Sequence, residues 1–165
     1  MRIAMGADHG GYSLKEIIKQ HLVEAGHEVL DLGTHDTDSC HYPEYAEKVA
    51  YAVVDRDADL GILVCGTGIG MSIAANKVRG IRAAAVSDCF TAQATRENND
   101  SNILCLGERT VGPGLAMRIV DTWLNASFQG GRHQVRLDMI SELEQNCKRD
   151  KERQRKDVIL WALFM

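Results

Sequence analysis

Cys65 closes an apolar run of Leu60, Ile62, Leu63 and Val64 and stands directly before a turn containing Gly66, Thr67, Gly68 and Gly70. A continuous apolar run of this kind marks a strand buried on both faces of a parallel sheet. The small and apolar residues after the glycines have helical character. A strand, a glycine turn and a helix leave a row of free backbone N–H groups at the helix N-terminus. A thiol beside such a terminus has its thiolate form favoured, and the same N–H groups can hold a developing oxyanion. A base and an anion hole are therefore expected together, with Thr67 inside the turn. The other device built on a glycine turn is a nucleotide site. Its G-x-G-x-x-G spacing fails at Met71, and no Lys-Ser/Thr pair follows to make a phosphate loop. Asp88, about 20 residues on, stands where an acidic ribose ligand would be sought in that alternative.

Further residues with chemical capacity fall near other turns. Asp8 and His9 follow the end of the first apolar run and precede Gly10 and Gly11. Arg132 and Arg136 are spaced i, i+4, so they share a helix face just after Gly130 and Gly131. Two guanidiniums one turn apart suit a phosphate group, with His133 beside them and Arg109 beyond the fifth strand as a further candidate. His35, Asp36, Asp38 and His41 show no recognised metal-ligand spacing and read as a polar loop. No metal and no cofactor are expected.

The elements that must position these groups alternate along the chain. Residues 2–6, 28–31, 60–65, 82–86 and 103–106 read as strands. Helices are expected near 13–25, 43–54, 68–77, 91–97, 112–124 and 132–147. Ser13 with Glu16 has the form of a capping box for the first helix, whose apolar stripe is Leu14, Ile17, Ile18, His21 and Leu22. Pro43 suits the first position of the second. The expected fold is α/β, a three-layer, doubly wound, Rossmann-like five-stranded parallel sheet with helices on both faces. Ligands in such folds bind outside the carboxyl ends of the strands, at the point where the winding reverses. A reversal between the first and third strands would bring Asp8 and His9 to Cys65, Gly66 and Thr67.

Composition limits the alternatives. At 165 residues the chain suits one domain burying about 70% of its unfolded surface. That domain is expected over 1–147, with a charged and then apolar extension over 148–165. A net charge of -4 argues against nucleic acid or an anionic membrane surface as partner. No apolar run approaches the ~20 residues of a membrane span, and no basic segment leads an apolar one at the start, so no secretory leader is expected. Five scattered cysteines without a C-x-x-C pair fit a reducing, cytoplasmic setting.

Five strings, GADHGGYSLK, YPEYA, CGTGIGMSIAANKVRGIRAA, NDSNILCLGERTVG and FQGGRHQVR, occur in one order over roughly residues 1–145. Together they closely resemble the type B ribose-5-phosphate isomerases, part of a wider family with galactose-6-phosphate and allose-6-phosphate isomerases. The resemblance implies an aldose–ketose isomerase of the non-oxidative pentose phosphate branch, interconverting ribose 5-phosphate and ribulose 5-phosphate through an enediolate. Cys65 would be the base, and Thr67 with the amides of Gly66, Gly68 and Gly70 would hold the oxyanion. Asp8, His9 and Tyr42 would line the sugar site, and Asn99 would contact substrate. Arg132 and Arg136 would hold the phosphate with His9, and Arg109 would lie close by. A homodimer, or a tetramer of such dimers, is implied, with Asn99, Arg132 and Arg136 reaching the site of the neighbouring subunit. The rival readings are an isomerase of a tetrose or of allose or galactose 6-phosphate, and a sugar-phosphate-binding module without catalysis.

The chain departs from the family pattern twice. Where the family has Arg-Glu-His-Asn-Asp, this chain has Arg96-Glu97-Asn98-Asn99-Asp100. The histidine credited with opening the sugar ring is thus Asn98, which donates a hydrogen bond but is no general acid near neutral pH. The second departure is the extension over 148–165.

Overall fold

A computed structural model describes residues 1–146. The extension expected over 148–165 lies outside the described residues. The chain divides into two compact units, one from Met1 to Gln129 and the other from Gly130 onward.

The first unit alternates strand and helix: β1 (Arg2–Ala7), α1 (Tyr12–Glu24), β2 (Glu28–Asp31), α2 (Tyr42–Val54), β3 (Leu60–Cys65), α3 (Ile69–Ala75), β4 (Ala83–Ala85), α4 (Cys89–Asn99), β5 (Ile103–Gly107) and α5 (Pro113–Asn125). The five strands form one parallel sheet in the order β2-β1-β3-β5-β4. Every residue of β3 and β5 is buried, as continuous apolar runs in central parallel strands require. One core cluster joins the sheet to α1 and α5 through Leu14, Ile18, Leu22, Ile119, Val120 and Trp123. The other joins its opposite face to α2 and α3 through Ala46, Val49, Val53, Met71 and Ala75. The unit is therefore the expected three-layer α/β/α arrangement, and the winding reverses between β1 and β3.

Three local expectations need correction. The capping box of Ser13 and Glu16 does not form. Helix α1 begins at Tyr12 with Gly11 as its cap, because the chain there runs against the end of β3. A β-carbon on Gly11 would lie 2.5 Å from the carbonyl oxygen of Val64. Ser13 is thereby drawn inside the first turn, and the Leu14 amide donates to Glu108 Oε2 at 2.9 Å instead. Ile17 is 39% exposed rather than buried. The fourth helix starts two residues early, since Asp88 accepts the Thr91 amide at 2.8 Å.

In the second unit residues 132–146 are helical. Among the described residues no helix is long and apolar enough to cross a membrane.

Candidate active site

The carboxyl ends of β1, β3 and β5 are laced together by backbone bonds just beyond the sheet. Asp8 N donates to Val64 O at 3.3 Å, Glu108 N to Cys65 O at 2.9 Å, and Arg109 N to Gly66 O at 3.0 Å. The three loops leaving the sheet therefore begin in fixed relation to one another. Cys65 is 5% exposed, and the Gly68 amide donates to its sulfur at 3.1 Å. Gly68 is at φ +76°, in the left-handed region where a side chain is strained. That conformation turns its N–H back toward the thiol. The Gly66 and Thr67 amides donate to nothing among the described residues. Two free donors thus lie next to a sulfur with a donor of its own, which is the geometry that stabilises an anion near a base.

The rim of the crevice is built from the other expected residues. Asp8 is buried, and its Oδ1 accepts the Gly10 amide at 2.9 Å. A β-carbon on Gly10 would meet Asp8 Oδ1, the Gly66 amide nitrogen and Arg109 Nη2, all within 4 Å. The Asp8 carboxylate, the glycine turn and the Arg109 guanidinium accordingly surround one spot. The Tyr42 ring lies over Gly70, where a β-carbon would come within 3.0 Å of Cζ. His9 is exposed, and its Nδ1 accepts the Cys40 amide at 3.3 Å. With Nδ1 accepting, a neutral ring carries its proton on Nε2. Thr67 is exposed, with Oγ1 accepting the Ile69 amide at 3.4 Å.

Four residues that the sequence did not single out, Glu108, Lys15, Asp31 and Thr34, support this rim. Glu108 joins the end of β5 to the start of α1 through the Leu14 bond described above. Lys15 is completely buried. Its Nζ donates to both oxygens of Asp31, at 2.8 and 3.0 Å, and to Thr34 O at 2.7 Å. Thr34 in turn donates its amide to Ala7 O at 2.8 Å, one residue before Asp8. Burial opposes ionisation of Asp31, but Lys15, Lys19 and the Gly33 amide outweigh it and hold the carboxyl at about 2. Cys105, on β5, is pushed far above the ordinary thiol range by burial and then by charge on nearby Cys65, so it stays a neutral neighbour.

Other expected residues lie elsewhere. Asp88 caps α4, so the acidic ribose ligand of the nucleotide alternative is not available. Asn98 and Asn99 end α4, whose eleven residues carry the chain about 16 Å back along the sheet. The Asn99 carbonyl accepts from Nε of Arg82 at 3.1 Å, and Arg82 immediately precedes β4. Both asparagines are therefore at the amino edge of the sheet, opposite Cys65. Arg132 and Arg136 belong to the second unit, one turn apart on its helix, with Arg132 Nε 3.5 Å from His133 Nε2. No group of three or more His, Cys, Asp or Glu among the described residues is arranged to hold a metal ion.

Comparison with known proteins gives consistent matches. A family model described as Ribose/Galactose Isomerase matches residues 3–140. Ribose-5-phosphate isomerase B of Escherichia coli is 52% identical over 144 residues, covering 87% of this chain and 97% of the relative. The solved ribose-5-phosphate isomerase B of Clostridium thermocellum superposes with a TM-score of 0.88 at 55% identity, covering 88% of this chain and 99% of that one. That of Mycoplasma genitalium, solved with bound ribulose-5-phosphate, gives a TM-score of 0.83 at 44% identity, covering 87% and 96%.

Proposed function

This chain belongs to the ribose/galactose isomerase family, and from that premise we propose that it interconverts D-ribose 5-phosphate and D-ribulose 5-phosphate by proton transfer at Cys65. The observation that carries the assignment is the Cys65 sulfur beside the Gly68 amide and the free amides of Gly66 and Thr67. The Cys65 thiolate takes the proton from C2 of the open-chain aldose, and the electron pair passes to the carbonyl oxygen at C1. The amides of the glycine turn, from Gly66 to Gly70, and Thr67 hold the charge of the resulting enediolate. The proton of the C2 hydroxyl passes to the C1 oxygen, and returning the abstracted proton to C1 as the C2 carbonyl forms gives the ketose. No redox partner is needed, since the substrate carries both oxidation levels. Asp8, His9 and Tyr42 bind the sugar hydroxyls.

The site is completed by a second copy of the chain. The position of Asn98 and Asn99 at the opposite edge of the sheet supports this, because neither reaches Cys65 of its own subunit. Arg132 and Arg136 supply the phosphate contacts from the same second copy, alongside His9 and Arg109. The working assembly is thus a homodimer with two shared sites. Residues 1–147 form the isomerase domain and 148–165 an extension to it. The substrate supports a cytoplasmic place in the non-oxidative pentose phosphate branch.

Turnover of ribose 5-phosphate by the purified protein, with Cys65→Ala as control, tests the assignment. Loss of the base is expected to lower kcat by roughly 10²- to 10⁴-fold. Equal turnover by both proteins would remove Cys65 from the mechanism.

A further inference from the structure

The amino edge of the sheet holds a charged cluster that makes no contact with the Cys65 crevice of its own chain. Asp100 follows α4 in the left-handed conformation, φ 44° and ψ 49°. A residue with a β-carbon persists there only where its surroundings over-determine it, and they do. Its Oδ1 accepts from Nη1 of Arg96 at 2.8 Å and its Oδ2 from Nη2 of Arg82 at 3.0 Å. Arg82 Nε also donates to the carbonyls of Asn99 and Asp100, at 3.1 and 2.8 Å. Arg96 Nη1 donates to Ser101 O at 2.9 Å, and its guanidinium lies 5.7 Å from the Trp123 ring centroid. Trp123 Nε1 donates to Ser101 Oγ at 2.8 Å. Three elements, the approach to β4, α4 itself and α5, therefore fix the backbone of residues 99–101.

Within this frame the side chains of Asn98 and Asn99 make no hydrogen bond among the described residues, and Asn99 is exposed. A rigidly held backbone presenting unused amide groups is the arrangement of a preorganised contact, not of a core. We propose that Arg82, Arg96 and Asp100 are positioning residues for the site of the neighbouring subunit, holding Asn98 and Asn99 at the angle from which they meet its sugar phosphate. The inference rests on the shared-site reading above and adds to it the residues that aim the contributed segment. Placement errors of about 1 Å at a reacting centre cost on the order of 10²-fold in rate, so the clamp acts through geometry.

Mixed dimers separate this role from a purely structural one. Two variants are co-expressed with different tags, and the dimer carrying both is purified in sequence. Arg82→Ala as a homodimer is expected to lose roughly 10²-fold in kcat. Paired with Cys65→Ala it should recover about half of the wild-type activity, because one of two symmetry-related sites then has an intact thiol and an intact clamp. A folding defect gives no such recovery, since the intact thiol belongs to the damaged chain. Asp100→Asn keeps the side-chain size and tolerates the left-handed backbone while losing the charge. It should cost roughly tenfold, melt close to the wild type, and decide the matter if Arg82→Ala does not fold. The pair Cys65→Ala with Asn99→Ala tests the shared site itself. If that pair recovers activity and the clamp pairs do not, the clamp acts in its own subunit and the inference is overturned alone. If the Asn99 pair recovers nothing, the shared site and the inference fall together. Clamp homodimers with wild-type turnover overturn the inference directly.

Discussion

At position 98 this chain carries a carboxamide where the resemblance implies an imidazole. An amide can donate a hydrogen bond to a ring oxygen but has no transferable proton. Ring opening is therefore expected to limit turnover on the furanose form, while the proton transfer at Cys65 proceeds on open-chain sugar. Asn98→His should raise kcat on ring-form ribose 5-phosphate by about 10²-fold and leave exchange of the C2 proton on open-chain substrate nearly unchanged. An unchanged rate on ring-form substrate would show that the missing acid is not limiting. The place of Cys65 at the end of β3, beside the glycine turn, was legible from local order, because an apolar run ending in a thiol and a glycine turn admits few arrangements. Lys15 was not. On a helix surface it reads as a solvated charge, and its burial depends on Asp31 and Thr34, sixteen and nineteen residues further on.

The elements carry the next set of consequences. In helix α1 a first-turn amide, that of Leu14, is satisfied by Glu108, 94 residues away, which explains why the local Ser13–Glu16 signal misled. A capping box describes a helix free to choose its own start, whereas α1 starts where Gly11 can pass the backbone of β3. Strands β1, β3 and β5 and the reversal of winding between β1 and β3 followed from continuous apolar runs and alternation with helices. Helix α4 was longer than its apolar pattern, because Asp88 sets its start and the Arg82–Asp100–Arg96 cluster its end, and neither is apolar. The loop after β2 is fixed by Lys15 and Asp31, and this link has a pH signature. The Asp31 carboxyl titrates at about 2 in the folded chain and near 3.9 in an unfolded one. Its contribution to stability is therefore complete above about pH 4 and is lost as the pH falls through about 2. Lys15→Met should lower stability at neutral pH by about 3 kcal/mol, as breaking a buried pair does, and flatten the acid limb of a denaturation curve between those values. An acid limb identical to the wild type would show that Asp31 does not depend on Lys15.

At the level of the whole molecule the two edges of one sheet have different tasks. The carboxyl edge holds the thiol beside the free amides of the glycine turn, and on the proposed reading the amino edge holds the segment offered to another copy. The isomerase reading places every working residue within 1–147, so a chain ending at residue 147 is expected to keep the turnover and the oligomeric mass of the full chain. A fall in either on truncation would give residues 148–165 a part in the assembly. This division between edges was legible only in outline. Sequence places Asn98 and Asn99 just past a helix expected near 91–97, whereas the helix runs on to Asn99, and their distance from Cys65 depends on where β4 and β5 stand in the sheet.

Around the crevice, backbone passes backbone too closely for side chains at several glycines. A β-carbon on Gly11 would collide with Val64, one on Gly107 would lie 2.6 Å from Thr67 Cα, and one on Gly68 would press on Cys105. Those glycine positions offer natural selection no side chain to vary. A lineage that shifts its preference among sugar phosphates is then expected to do so from the rim, at residues such as His9 and Tyr42, with the chemistry beneath left as it is. Reaction type and substrate choice are in that sense separately heritable in this molecule.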